Sequence, residues 1–287
     1  MTGAVLRAGG HLALFDRFDP STFGEQIALL RPTVLGSAVP FFRACLEAQR
    51  RHGDDPLYPE LRACTAGGAA TPPEIIAELV DAFGIAGVVN SWGLTEFPIA
   101  TCPCPTDLPE KLAHTVGPPS PGVEIRVVDG ELRLKGAQCF LGYVDSAMDD
   151  SIFDDGGWLR TGDLGGVDDD GFVFITGRLK DVIIRNAENI APAEVEDVLL
   201  RHPDINDVAV IGLPDDRTGE RICAVVVAGP GTVLTLENVR QFCLAEGMTR
   251  QKVPEQLEVW PVIERNPMGK VVKSRLRDQV LDRIPPA

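Results

Sequence analysis

The sequence has no surplus of positive charge. Its 27 Lys and Arg face 42 Asp and Glu, a formal charge of −15, which repels a phosphate backbone unless basic side chains gather on one face. Nucleic acid is therefore not an expected partner. Long apolar runs are missing as well: residues 1–20 hold no continuous apolar stretch of the signal-peptide kind, and runs such as 208–213 and 223–228 are far shorter than the roughly 20 residues that span a membrane. No transmembrane segment and a cytoplasmic setting are expected. The cysteines, Cys45, Cys64, Cys102, Cys104, Cys139, Cys223 and Cys243, are odd in number and scattered through apolar neighbourhoods, which favours free thiols over a disulfide framework. Cys102-Pro103-Cys104 would be half of a metal site, but no second Cys or His pair lies at ligand spacing, and His11, His52, His114 and His202 form no constellation. Internal repeats and low-complexity tracts are also lacking.

What is present is an ordinary folding composition. With 287 residues, 44% hydrophobic and 24% charged, the chain is long enough for a substantial core and for about two domains. The first ninety residues alternate helical apolar patterns with short extended runs at 33–37 and 87–90, which is α/β behaviour. Val123, Ile125 and Val127 then alternate with polar neighbours, Asp129-Gly130 intervenes, and Leu132 and Leu134 resume the alternation, the pattern of a hairpin with a tight turn. A further strand is expected at 172–176, so residues 119–177 should form a β-rich subdomain. Beyond residue 180 the pattern becomes a small α+β unit. Pro192 begins a helix with Val195, Val198 and Leu199 on one face; strands follow at 208–212 and 222–227, then a helix from the Thr235 cap to Gly247 and a strand at 257–262. The domain boundary is expected at 179/180, giving units 1–179 and 180–287.

Five short segments carry the chemistry. Thr65-Ala66-Gly67-Gly68-Ala69 offers glycine backbone that a flat base or acyl chain can approach closely, as any tight turn also does. Asn90-Ser91-Trp92-Gly93-Leu94-Thr95-Glu96 combines an aromatic plane, a hydroxyl suited to a phosphate oxygen and a carboxylate suited to Mg²⁺; a core tryptophan beside a surface glutamate would read the same way. Asp163 follows Thr161-Gly162, where a carboxylate can accept ribose hydroxyls or simply end a turn. Arg178 and Lys180 precede the β-formers 182–184, which places them at the start of a strand. Lys270 follows Gly269 on what should be an exposed loop.

In this order the five segments resemble the adenylate-forming superfamily of acyl-CoA synthetases, aryl-CoA ligases, peptide-synthetase adenylation domains and luciferases, over roughly residues 16–277. The resemblance implies the α/β and β-rich remainder of a large AMP-binding domain followed by a small mobile α+β domain, with ATP/AMP, Mg²⁺ and CoA as ligands. Carried over by position, Gly67, Gly68 and Ala69 border the adenine and acyl pocket, Trp92 and Gly93 lie near the adenine, Thr95 touches the α-phosphate, and Glu96 helps bind Mg²⁺. Asp163 and Arg178 take the ribose hydroxyls, Lys180 is the interdomain hinge, and Lys270 is the catalytic lysine of adenylation. The loop holding Ala187 and Glu188 faces the pantetheine of CoA.

Two departures stand out. Many relatives have glycine where this chain has Ala187, and nothing like their Ser/Thr/Gly-rich phosphate loop occurs before residue 67, so much of the family's large domain is expected to be missing. The run from Ala187 to Glu196 is most similar to CoA ligases acting on fatty or other hydrophobic acids. The expectation is an AMP-forming acid–CoA ligase joining a carboxylic acid to CoA. A peptide-synthetase adenylation domain and a non-catalytic remnant or binding module are the rivals.

Overall fold

A computed structural model describes residues 2–67, 71–266 and 270–283. Gly68 and Ala69 of the first motif and Gly269 of the last therefore lie outside the described residues. The chain divides into two compact units, residues 1–93 with 101–118, and residues 94–100 with 119–287.

In the first unit, α1 (Thr2–Arg7) and α2 (Phe23–Leu29) are followed by β1 (Val34–Ser37), α3 (Val39–His52), β2 (Ala63–Ala66), α4 (Pro73–Phe83), β3 (Val88–Asn90) and α5 (Pro109–His114). The strands form a parallel sheet in the order β1-β2-β3, which requires crossover connections of the kind α3 and α4 supply. Both of these helices carry proline in the first turn, where its missing N–H is not needed. α4 ends at Gly84, left-handed at φ 59°, a conformation without a Cβ clash only for glycine. Ile75, Ile76, Leu79 and Phe83 lie at helical spacing and share one core with Phe42, Leu46, Cys64 and Val88.

The second unit holds two sheets. β4 (Val123–Val128), β5 (Glu131–Gly136), β6 (Leu159–Val167) and β7 (Val173–Arg178) form an antiparallel sheet in chain order, with α6 (Asp149–Ile152) between β5 and β6 in sequence. The expected hairpin is there, and its turn residues Asp129 and Gly130 stand at φ 52° and 81°, the double positive φ that matches the strand twist. After a single 3₁₀ turn (Leu179–Asp181) come β8 (Ile183–Arg185), β9 (Glu188–Ile190), α7 (Pro192–Leu200), β10 (Ile205–Asp215), β11 (Gly219–Ala228), α8 (Leu236–Ala245), β12 (Gln256–Val259) and α9 (Lys273–Leu281). These strands run β10-β11-β8-β9, with β12 parallel to β11. Alternation along β10 sorts the core into two layers: Val208 and Val210 join α7 and α8 through Val195, Leu199, Val239 and Cys243, whereas Ala209, Ile211 and Leu213 join α9 through Leu276 and Val280.

Four local expectations change. Arg178 ends β7 instead of opening the next strand, because its register partner is Asp163 on β6; Lys180 lies on the 3₁₀ turn, and the strand begins only at Ile183. The strand expected at 257–262 stops at Val259. Thr161-Gly162 is not a turn but lies within β6. The β8–β9 hairpin and α9 were not expected.

The β8–β9 turn uses Asn186 at φ 51° and Ala187 at φ 62°. Asparagine tolerates this region, whereas for alanine it costs roughly 1–2 kcal/mol. Glycine would remove that strain at the expense of about 0.4–1 kcal/mol of added unfolded-chain entropy. Ala187→Gly is predicted to stabilise the fold by about 0.5 kcal/mol, read as a higher urea midpoint with unchanged slope; a lower midpoint would contradict the assignment of strain.

Candidate functional site

Two of the candidate segments leave neighbouring strands of the parallel sheet at the same end. Ala66 and Asn90 are register partners at the carboxyl ends of β2 and β3, and Ser91 N–H donates to Ala66 O at 3.2 Å. Gly67 and Ser91 thus follow side by side, where open α/β sheets bind their ligands. Among the described residues a Cβ on Gly67 would meet only Ser91 O, at 3.7 Å. Trp92 is buried, held by protein contacts instead of standing free. Its backbone N–H donates to Thr101 Oγ1 at 2.9 Å and its carbonyl accepts the Thr101 N–H at 3.2 Å. Thr101 is fully buried, and no local sequence pattern pointed to it. Gly93 is exposed and ends the first unit's main segment.

Thr95 and Glu96 belong to the second unit, at the tip of a turn closed by Leu94 N–H to Phe97 O (3.0 Å) and Phe97 N–H to Leu94 O (3.2 Å). Fully buried Phe97 anchors this turn, and its ring lies 3.2 Å from where a Gly136 Cβ would be. Thr95 is exposed and Glu96 half-buried. Phe140 N–H donates to the Glu96 carbonyl at 2.8 Å, and the Tyr143 hydroxyl donates to Glu96 Oε1 at 2.6 Å. Tyr143 was also not singled out by the sequence. Among the described residues no group of three His, Cys, Asp or Glu is placed to hold a metal. A single half-buried carboxylate nevertheless fits Mg²⁺ that arrives with substrate phosphates, since this ion is commonly held by one or two carboxylates plus phosphate oxygens.

Asp163, Arg178, Lys180 and Lys270 come together. Register shifts between β5 and β6, with Arg133 opposite Arg160 but Glu131 opposite Leu164, mark a bulge at 161–163. Gly162 takes φ 69° there. Thr161 Oγ1 donates to Leu132 O at 2.6 Å and accepts Asp163 N–H at 3.0 Å, while Glu131 accepts Gly162 N–H at 3.1 Å. Asp163, only 3% exposed, is the register partner of Arg178 on β7, whose Nε lies 2.8 Å from Asp163 Oδ1. Lys270 is half-buried instead of standing on an exposed loop. Its N–H donates to Asn266 Oδ1 at 2.9 Å and its carbonyl accepts the Asn266 N–H at 2.8 Å. Burial holds the Lys270 ammonium below the usual lysine range; the Arg178 and Lys180 charges push the same way and Asp163 opposes them.

Ala187 and Glu188 are exposed at the β8–β9 tip, yet the tip is fixed at its base. Asn186 N–H donates to Thr218 O at 2.8 Å, and Arg185 bridges both Glu255 oxygens at 2.8 and 2.9 Å.

The second unit thus holds a carboxylate–guanidinium pair beside a partly desolvated lysine, and the first unit holds glycine backbone at strand carboxyl ends. Comparison with known proteins narrows the reading. The family described as AMP-binding enzyme matches residues 1–144, and the AMP-binding enzyme C-terminal domain matches residues 194–270; the chain belongs to the AMP-binding enzyme family. It is similar to a 7a-methyl-1,5-dioxo-octahydro-1H-inden-4-yl propanoyl:CoA ligase of Rhodococcus jostii, 38% identical across 93% of this chain and 51% of that protein. A medium-chain fatty-acid–CoA ligase of Escherichia coli is 34% identical across 96% of this chain and 50% of that protein. The solved structure of ATP-bound MatB from Rhodopseudomonas palustris superposes with a TM-score of 0.88 at 29% identity, covering 98% of this chain and 57% of that one. The chain thus spans about half the length of the curated relatives it matches.

Because the Lys270 ammonium is disfavoured in the fold relative to the unfolded chain, its cost to stability is present at neutral pH and is relieved as pH rises through the lowered folded value. The neutral, acylatable amine accordingly accumulates at lower pH than for an ordinary lysine. Following Lys270 acetylation against pH by mass spectrometry, Arg178→Gln should move the profile to more alkaline pH, because one opposing positive charge is gone. An unmoved profile would mean that the guanidinium does not face Lys270.

Proposed function

We propose that the protein is an AMP-forming acid–CoA ligase for hydrophobic carboxylic acids. The observation that carries this is the Asp163–Arg178 pair with half-buried Lys270 facing it, in a chain of the AMP-binding family whose relatives named above are CoA ligases for a fused-ring propanoyl group and for medium-chain fatty acids. Asp163 accepts the ribose hydroxyls beside Arg178. Gly67 leaves room for the base and acyl chain, with Trp92 as a fixed wall, and Thr95 donates to the α-phosphate. In adenylation the carboxylate oxygen of the acid bonds to the α-phosphorus and pyrophosphate leaves; Lys270 offsets the charge that gathers there. Glu96 would hold Mg²⁺, which when bound screens the phosphate charge. In the second step the CoA sulfur bonds to the acyl carbon and AMP departs, with the Ala187–Glu188 tip facing CoA. Lys180 is the hinge about which residues 180–287 exchange Lys270 for that tip.

A second reading has its own observation. Nothing like the family's Ser/Thr/Gly-rich phosphate loop occurs before residue 67, and backbone N–H groups of that kind position and stabilise a leaving pyrophosphate. The chain as it stands is therefore expected to make thioester from a preformed adenylate but not to adenylate an acid.

The purified chain, given dodecanoyl-adenylate and CoA, should yield acyl-CoA and AMP, while acid, ATP, Mg²⁺ and CoA should yield neither. Turnover in the second mixture would overturn the predicted division. Silence in both, from a sample whose circular dichroism shows it folded, would overturn the ligase reading in favour of a non-catalytic module.

A further inference from the structure

Several of the buried or half-buried carboxylates of the second unit are neutralised by a cation. Asp163 pairs with Arg178, Asp154 with Arg126 and Arg133, Glu131 with Arg133, Glu196 with Lys273, Glu220 with Arg277, and Glu255 with Arg185. Glu96, like half-buried Asp149 and Asp215, is not among them. It is half-buried, its Oε1 accepts a neutral phenol, and among the described residues no Lys or Arg forms an ion pair with it. A carboxylate withdrawn from water without a counter-charge is costly unless a cation joins it.

The phenol is itself held firmly. Tyr143 N–H donates to Asp149 Oδ1 at 2.9 Å. Its ring meets Phe140 edge-on at 5.0 Å, and Phe140 stacks on Phe153 at 5.8 Å. Gly142, at φ 142°, lets the chain pass so near Asp149 that an added Cβ would lie 2.6 Å from Oδ2. The same short segment grips Glu96 twice, through Phe140 N–H on its carbonyl and Tyr143 O–H on its carboxylate. Two such attachments suit a side chain whose rotamer has to be fixed in advance, since a free glutamate loses considerable freedom when it orders.

We propose that Tyr143 is the positioning residue for Glu96: its hydroxyl occupies one carboxylate oxygen and fixes the rotamer, leaving the other oxygen to take a divalent cation. This rests on the reading of Glu96 as the magnesium carboxylate. Tyr143 touches neither substrate nor cation and acts only through Glu96. The neighbouring charges agree with the arrangement, because the phenol is held above the usual tyrosine range by its bond to Glu96, by burial and by the Glu96 and Asp149 charges.

Tyr58 and Tyr143 are the only tyrosines, so the chain labelled with fluorotyrosine should give two ¹⁹F resonances, with Tyr143→Phe identifying one. Glu96→Gln should move the Tyr143 resonance and leave Tyr58 in place. Added Mg²⁺·ATP, but not ATP alone, should move the Tyr143 resonance saturably in the wild-type chain and not in Glu96→Gln. Tyr143→Phe, which keeps the ring packing, should weaken Mg²⁺·ATP binding measured by calorimetry about five-fold while leaving the affinity for metal-free ATP unchanged. A Tyr143 resonance indifferent to Glu96→Gln or to Mg²⁺·ATP, or equal Mg²⁺·ATP affinity in wild type and Tyr143→Phe, would overturn the proposal. Its failure is separable from that of the ligase reading, because thioester formation from a preformed adenylate is assayed without Mg²⁺.

Discussion

The pairing of Asp163 with Arg178 is the contact around which the second unit's polar residues are organised. It joins β6 to β7 at the last register position of β7, where Asp163 and Arg178 are direct cross-strand partners and so share a face, next to the bulge of β6 at Gly162. Thr161 and Glu131 spend their polar groups on holding that irregular backbone. The guanidinium's charge, with that of Lys180, is felt at Lys270 on the loop closed by Asn266, where Asp163 opposes it.

Electrostatics divides the remaining carboxylates by role. Asp154 illustrates the structural kind: burial pushes its carboxyl up, but Trp158 and Gly156 N–H groups and the Arg133 and Arg126 guanidiniums outweigh that and hold it well below the usual carboxylate range. Every acceptor site is used, and little is left for a ligand. Glu96 sits in a tight turn, half-buried and gripped from one side only. Asp163 falls between these extremes, paired with an arginine that is itself partly exposed.

Much of this was legible in the sequence, for reasons that can be named. The Asp129-Gly130 hairpin, the proline-started α7, the Thr235 cap and the strands β10 and β11 all rest on short-range rules that act within a few residues. The positions of the candidate residues followed from motif order. The bulge did not: Thr161-Gly162 looks like a turn until β5 supplies the partners for it, and those partners lie about thirty residues away in sequence. Thr101 and Tyr143 were missed for the same reason, since each acts on a motif residue nine or forty-seven positions distant. The positive φ of Ala187, 62°, was not read from the sequence because alanine itself does not mark a left-handed turn.

If Asp163 and Arg178 are built to hold the ribose of AMP, the nucleotide's two ribose hydroxyls must matter to this chain. Calorimetric titration with AMP and with 2′,3′-dideoxy-AMP tests this while leaving the protein untouched. The account predicts that AMP binds and that the dideoxy analogue binds roughly tenfold or more weakly, the scale of hydrogen bonds to a charged acceptor, with Asp163→Asn narrowing the difference. Equal affinity of the wild-type chain for the two nucleotides would contradict it.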